Sequence, residues 1–190
     1  MRVSREQAAE NREKILSMAA RLFREKGFDG IGIGDLMKSA GLTHGGFYGH
    51  FSSKEDLMAQ SCERAIDELL VRHQARAGES DDRLTRYQRF IANYLSSEHR
   101  DNPGSGCLMA ALGADAARQS PLVKRAFTQG ANRLLSAAIK MLPAQKSEAE
   151  KREEAMLTLA TLVGAQVIAR ALDDPELSEE ILRVVQKKLH

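Results

Sequence analysis

Residues Gly41 to Lys54 read GLTHGGFYGHFSSK, and this run of glycine, cap and aromatic residues decides the fold. Gly41 suits the position just past a helix C-terminus, where a left-handed backbone is needed. Thr43 is a favoured N-cap, and Ser52 followed three residues later by Glu55 has the spacing of a capping box. Only about two helical turns fit between those caps. The segment contains Gly45, Gly46 and Gly49, so it cannot hold a helix by its own propensity and must be held by neighbouring helices. Leu42, Phe47 and Phe51 are its apolar anchors. Thr43, His44, Tyr48, His50 and Lys54 are left for the exposed face.

Working outward, Arg5 to Lys26 places Ile15, Met18, Ala19, Leu22 and Phe23 at helical spacing, with Gly27 as the stop. Asp35, Leu36, Met37 and Ala40 carry a short second helix that ends at Gly41. Helix, short helix, tight turn and short helix make the pattern of a helix-turn-helix, the element that enters a DNA major groove. Gly45 and Gly46 would let its backbone approach bases and phosphates closely. A long helix then runs from about Ser53 to Arg76 with no linker before it.

The rest of the chain is also helical. GESDD (78–82) separates two helices, the second carrying Leu84, Tyr87, Ile91, Tyr94 and Leu95, and HRDNPGSG (99–106) reads as a loop. Ser120-Pro121 and Asp174-Pro175 each pair a cap residue with proline at the first helical position. Pro143 closes the helix of Phe127, Leu134, Leu135 and Ile139, and QKSEAEKREE opens a last long one. No segment alternates like a strand. The expected fold is all-α, with a helix-turn-helix DNA-binding domain at 1–54 and a helical dimerisation domain at 55–190, to which a family resemblance adds effector binding.

Composition narrows the function. With 190 residues and 43% hydrophobic content the chain can bury a core. The net charge is +2, but residues 1–54 hold 9 Lys/Arg against 6 Asp/Glu while the remainder holds 19 against 20, so the excess positive charge lies on the head. There is no apolar run of about 18 residues and no signal-like start, so a cytoplasmic protein is expected. Cys62 and Cys107 are too few and too far apart for a disulfide framework or a zinc site. No Ser-His-Asp arrangement, HExxH or carboxylate pair beside a histidine occurs, so no catalytic residue, metal or cofactor is expected.

In the body, Met58, Cys62, Phe90, Tyr94, Cys107, Phe127 and Met156 are apolar, aromatic or soft residues suited to line a pocket for a hydrophobic or aromatic small molecule. Asp115 and Arg118 read as a solvated pair, and His73 and His99 as surface residues. Residues 155–172, AMLTLATLVGAQVIARAL, are apolar nearly all round, and the next helix carries a further apolar stripe. These two helices are the natural two-fold interface, through Leu159, Leu162, Val163, Gln166, Leu177, Ile181 and Val185, giving an intersubunit four-helix bundle. Closure of the monomer core is the alternative use of the same residues.

Residues 12–58, with KILSMAARLFREKGFDG and DLMKSAGLTHGGFYGHFSSKEDLM, resemble the DNA-binding domain of the tetracycline-repressor (TetR) family of bacterial regulators. The resemblance implies a homodimer that binds a palindromic double-stranded operator and leaves it when a small molecule enters the C-terminal domain. It further implies that Thr43 caps the recognition helix and touches phosphate, that His44 and Gly45 face base edges, with Gly46 beside them, that Tyr48 and His50 reach the backbone, and that Lys54 meets phosphate. Gly32 and Gly34 stand where the family often has Thr or Ser and a charged residue. Two other readings remain: a sensor of electrophiles or oxidants acting through Cys107, whose place at a helix start favours a thiolate, and a constitutive DNA-binding protein.

Overall fold

The computed structural model of the chain describes residues 4–76 and 85–189, and GESDD with Leu84 lies outside them. Helix α1 spans Arg5–Lys26, the expected bounds, because Ser4 accepts from Gln7 N at one end and Gly27 turns the chain at φ 80° at the other. Helix α2 spans Ile33–Ser39, and a 3-10 helix covers His44–Gly49. Helices α3 (Lys54–Arg76), α4 (Arg86–Tyr94), α5 (Ser97–Asp101), α6 (Leu108–Ala116), α7 (Pro121–Ile139), α8 (Glu148–Ala171) and α9 (Pro175–Leu189) follow, and no strand occurs among the described residues.

Several boundaries follow from local chemistry. Ser147 and Glu150 form a reciprocal capping box at the start of α8, and Thr85 with Gln88 does the same for α4. Asp174 accepts from the N–H groups of Glu176 and Leu177, both at 3.0 Å, beside Pro175. Other boundaries differ from the sequence expectation. The α3 cap lies one residue later than Ser52–Glu55: Ser53 Oγ accepts from Asp56 N at 3.1 Å, while the Asp56 carboxylate takes Ser52 N and Oγ. The HRDNPGSG segment is not a plain loop. Ser96 caps α5, which includes His99 to Asp101, and Pro103–Ser105 makes a 3-10 turn.

One hydrophobic core joins the two ends of the molecule. Ile15, Ala19 and Phe23 of α1 meet Leu57, Cys62 and Ile66 of α3 in the same cluster as Leu108, Leu112 and Leu162 of the body. α3 packs against both α1 and α7, so it runs continuously from the head into the body. α8 is long and apolar enough to cross a membrane by length and composition, but Thr158, Leu162, Gln166 and Ala169 turn one face of it into the core.

Candidate nucleic-acid interface and effector cavity

The turn before the 3-10 helix is a Schellman motif. Gly41 has φ 73°, Gly41 N–H donates to the Lys38 carbonyl at 3.0 Å, and Leu42 N–H reaches back to Met37 O at 2.9 Å. Any residue with a Cβ would be strained at Gly41. The next six residues then wind as a 3-10 helix, in keeping with their three glycines and with the short lengths at which such helices occur. Thr43 is the N-cap, but its hydroxyl makes no capping bond. The Gly46 N–H that it would accept from goes instead to the Thr43 carbonyl at 3.1 Å.

Aromatic packing fixes this segment. Phe47 and Phe51 are buried and stacked with centroids 5.8 Å apart, and the Arg12 guanidinium lies 5.0 Å over the Phe51 ring. Arg12 also donates to Gln60, which donates to Asp56 at 2.6 Å, so α1, α3 and the Ser52 turn share one polar chain. Those bonds, the Gln60 amide first and then Ser52 N–H, hold the Asp56 carboxyl below its ordinary range. With the anchors inside, Tyr48 stands 67% exposed, Thr43, His44, Gly45 and Gly49 are exposed, and Gly46, His50 and Lys54 are half-buried. A Cβ placed on Gly45 would meet nothing within 4 Å, so that backbone faces open space.

The body contains a cavity of about 550 Å³ walled by α3, α4, α7 and α8 and touching Cys107. Of the seven candidate lining residues, Phe90, Tyr94 and Cys107 are there. Met58 and Cys62 are instead sealed in the core between α1 and α3, Phe127 packs against that core, and Met156 is exposed. Burial pushes the Cys62 thiol up to about 12, which leaves it protonated and inert. Leu69, His73, Leu134, Leu159 and Leu162 complete much of the wall, with Arg86, Arg133 and Lys140 among the polar lining. The apolar, aromatic or soft lining expected from the sequence is therefore corrected, since three cations border the cavity. Exposed cations on helices read as solvated faces in sequence, and nothing local shows that they border a cavity. Among the described residues no cluster of three or more His, Cys, Asp or Glu side chains is placed to hold a metal.

Head and body meet at polar ties that the sequence did not reveal. Arg24, buried in α1, donates to the Gly106 carbonyl at 3.3 Å and pairs with Glu68 of α3 at 3.2 Å. Burial lowers the Arg24 pKa, partly opposed by Glu68. Asp115 is more than a solvated partner of Arg118, because its second oxygen accepts Phe28 N–H at 3.3 Å. His99 is not a surface residue. Its Nδ1 lies 2.6 Å from Tyr94 O and its Nε2 accepts Cys107 N–H at 2.9 Å. Burial above all, with Arg170 and Arg72 adding to it, lowers its pKa to about 4 against the pull of Tyr94 O.

The interface candidates on α8 and α9 also separate. Leu162 and Gln166 are fully buried within the monomer, Gln166 donating to Tyr94 O, and Leu159, Val163, Ile181 and Val185 pack against the cores, which leaves only Leu177 exposed. The outward apolar face of α8 is instead Leu157, Val167 and Ile168, joined by Leu177 and Val184 of α9. A helix apolar all round gives no phase by which sequence could tell these faces apart.

Residues 15–60 match the family model described as bacterial regulatory proteins, tetR family. The chain is 37% identical over 78 residues to the HTH-type transcriptional regulator AcrR of Shigella flexneri, which covers 40% of this chain and 36% of that protein. It is 29% identical over 134 residues to the HTH-type transcriptional repressor NemR of Escherichia coli (strain K12), covering 67% of this chain and 64% of that one. The chain thus spans less than two thirds of the length of either curated relative. The crystal structure of reduced E. coli NemR is similar at TM-score 0.73 and 24% identity over 95% of both chains. A TetR transcriptional regulator from Chloroflexus aurantiacus is similar at 0.76 and 20% identity, over 97% of this chain and 96% of that one. These likenesses establish the all-α fold of the whole chain.

Proposed function

We propose, from an N-terminal unit that belongs to the tetR family, that the chain is a cytoplasmic transcriptional repressor which binds a palindromic operator as a homodimer and is released by a small molecule. Residues 1–54 are the reading head and 55–190 the effector-binding and dimerisation body. The observation that carries the reading is the exposed face of Thr43, His44, Gly45 and Tyr48 on a segment pinned from behind by Phe47 and Phe51. A face of small and hydrogen-bonding groups on a rigidly held segment fits a major groove. His44 and Gly45 serve bases, while Thr43, Tyr48, His50 and Lys54 serve phosphates, with Gly46 keeping the backbone close.

The cavity supports the release step. Leu69, Leu70 and His73 of α3 line it, and the same helix begins at Lys54, beside the recognition segment. A ligand that shifts α3, or the Cys107 wall whose neighbour Gly106 is held by Arg24, alters the spacing of two heads in a dimer. Linkage then requires operator DNA to weaken ligand binding by the same factor. Leu157, Val167, Ile168, Leu177 and Val184 supply the dimer face. Half-sites about 34–36 Å apart, or a multiple, are expected. Fluorescence anisotropy on selected operators tests the reading: His44→Ala should change sequence preference, and Lys54→Ala should weaken all sequences and lower the salt slope by about one phosphate. Unchanged binding by both variants removes this segment from the interface.

A further inference from the structure

The cavity wall is apolar where it is deepest and basic where it meets solvent. Leu69, Phe90, Leu134, Leu159 and Leu162 form the apolar part, with the Phe90 ring edge-on to His73 at 5.0 Å and tilted to Tyr94 at 5.9 Å. Thr158 offers little to a ligand, because its hydroxyl is already hydrogen-bonded to Tyr87 at 2.6 Å. The Tyr94 hydroxyl differs. It is buried with no hydrogen-bond partner of ordinary geometry, and the Cys107 thiol is its neighbour.

Charge is the second observation. Arg86, Arg133 and Lys140 line the cavity and are exposed, whereas among the described residues no Asp or Glu lines it. Arg133 is balanced by Asp67 at 2.5 Å, but Arg86 and Lys140 have no carboxylate partner among the described residues. A cationic ligand would lose hydration in such a site and gain no counter-charge. A neutral one would leave both cations unused. An acid whose body fills the apolar wall gains at both ends.

We infer that the effector is an amphipathic organic anion, its apolar or aromatic body in the cavity and its carboxylate, or a comparable acid, beside Arg86 and Lys140. The inference rests on the reading of this cavity as the effector site. Charge complementarity across a partly desolvated mouth favours the acid over an isosteric alcohol and excludes the amine.

Calorimetric titration of the full chain, without DNA, tests the ligand class directly. Two matched series serve as probes: dodecanoate, dodecanol and dodecylamine, and naphthoate, naphthalene methanol and naphthylmethylamine. In each series the acid should bind at least about tenfold more tightly than the alcohol, a difference of about 1.4 kcal/mol, with the amine weakest. The Arg86→Glu, Lys140→Glu double variant alters two exposed side chains and should keep its fold while losing the acid's advantage. An alcohol or amine that equals the acid in the wild type, or an unchanged order in the double variant, overturns the inference. Operator release is measured separately. An acid that binds with the expected order but leaves DNA bound supports the ligand class and refutes the release reading, whereas release by the alcohol or amine alone does the reverse.

Discussion

Replacing Arg24 with alanine cuts the tie between head and body, and its cost can be worked from the contacts. The side chain is 2% exposed, donates to Gly106 O at 3.3 Å and pairs with Glu68, which is 28% exposed, at 3.2 Å. Glu68 is not orphaned by the change, because Arg64 Nε still holds it at 3.0 Å. The Gly106 carbonyl does lose a charged donor in a buried position, a loss of about 1–3 kcal/mol, and the missing stem leaves unfilled space. Release of a guanidinium whose burial already lowers its pKa offsets part of this. Breaking a fully buried pair costs about 3–5 kcal/mol, so with a half-exposed and still-partnered carboxylate we expect about 2–3 kcal/mol. Arg24→Met keeps the stem and removes the charge, and it should lose about half as much as Ala. Urea unfolding at one fixed protein concentration measures both, since stability of a dimer depends on concentration. In the same variants operator affinity should persist while effector-driven release weakens. An alanine variant within about 0.5 kcal/mol of wild type, the range of ordinary surface changes, would refute the reasoning.

Three further outcomes are expected. His99 is held at about 4, mainly by burial, against 6.5 for an unperturbed imidazole, and a proton on Nε2 would face the Cys107 N–H. The unfolded chain therefore binds the proton first, so stability present above pH 6.5 is lost as the pH falls towards 4, by at most about 3 kcal/mol. His99→Gln should be less stable at neutral pH yet flatter across that window, and a wild-type slope in urea midpoints would exclude His99 as the source. Leu157→Glu with Ile168→Glu, at the outward face of α8, should give a folded monomer by light scattering with weakened operator binding, and a persistent dimer would move the interface elsewhere. Cys107, fully buried at the cavity wall, should be dispensable for release by a reversible ligand, whereas a Cys107→Ser chain that stays on DNA under oxidants that release wild type would establish the thiol-sensor reading.

Much of the molecule is legible one helix turn at a time. The bounds of α1, the left-handed Gly41, the Phe47 and Phe51 anchors, the proline-led starts of α7 and α9 and the exposed Thr43–Tyr48 face all follow from residues within four positions of one another. Caps, periodicity and turn chemistry act over that range, so the sequence determines them unaided. The one-residue shift of the α3 cap shows the limit, since Ser52 and Ser53 both suit the position and Asp56 decides between them by bonding to each.

Contacts across the chain decided the rest. Gln166 donates to Tyr94 O and Arg170 to His99 O across sequence separations of 72 and 71 residues, and these bonds turn one face of α8 inward. Local sequence cannot supply that phase, because residues 155–172 are apolar nearly all round, and so it does not separate interface from core at Leu162, which the structure buries. Arg86, Lys140 and Leu69 are likewise far apart in the chain, and they border one cavity only after α3, α4, α7 and α8 have packed. The caps and turn at Gly41 to Lys54 are local properties of this chain, whereas its cavity, its outward face and the Arg24 tie exist only where distant helices meet, because burial and charge pairing depend on neighbours in space.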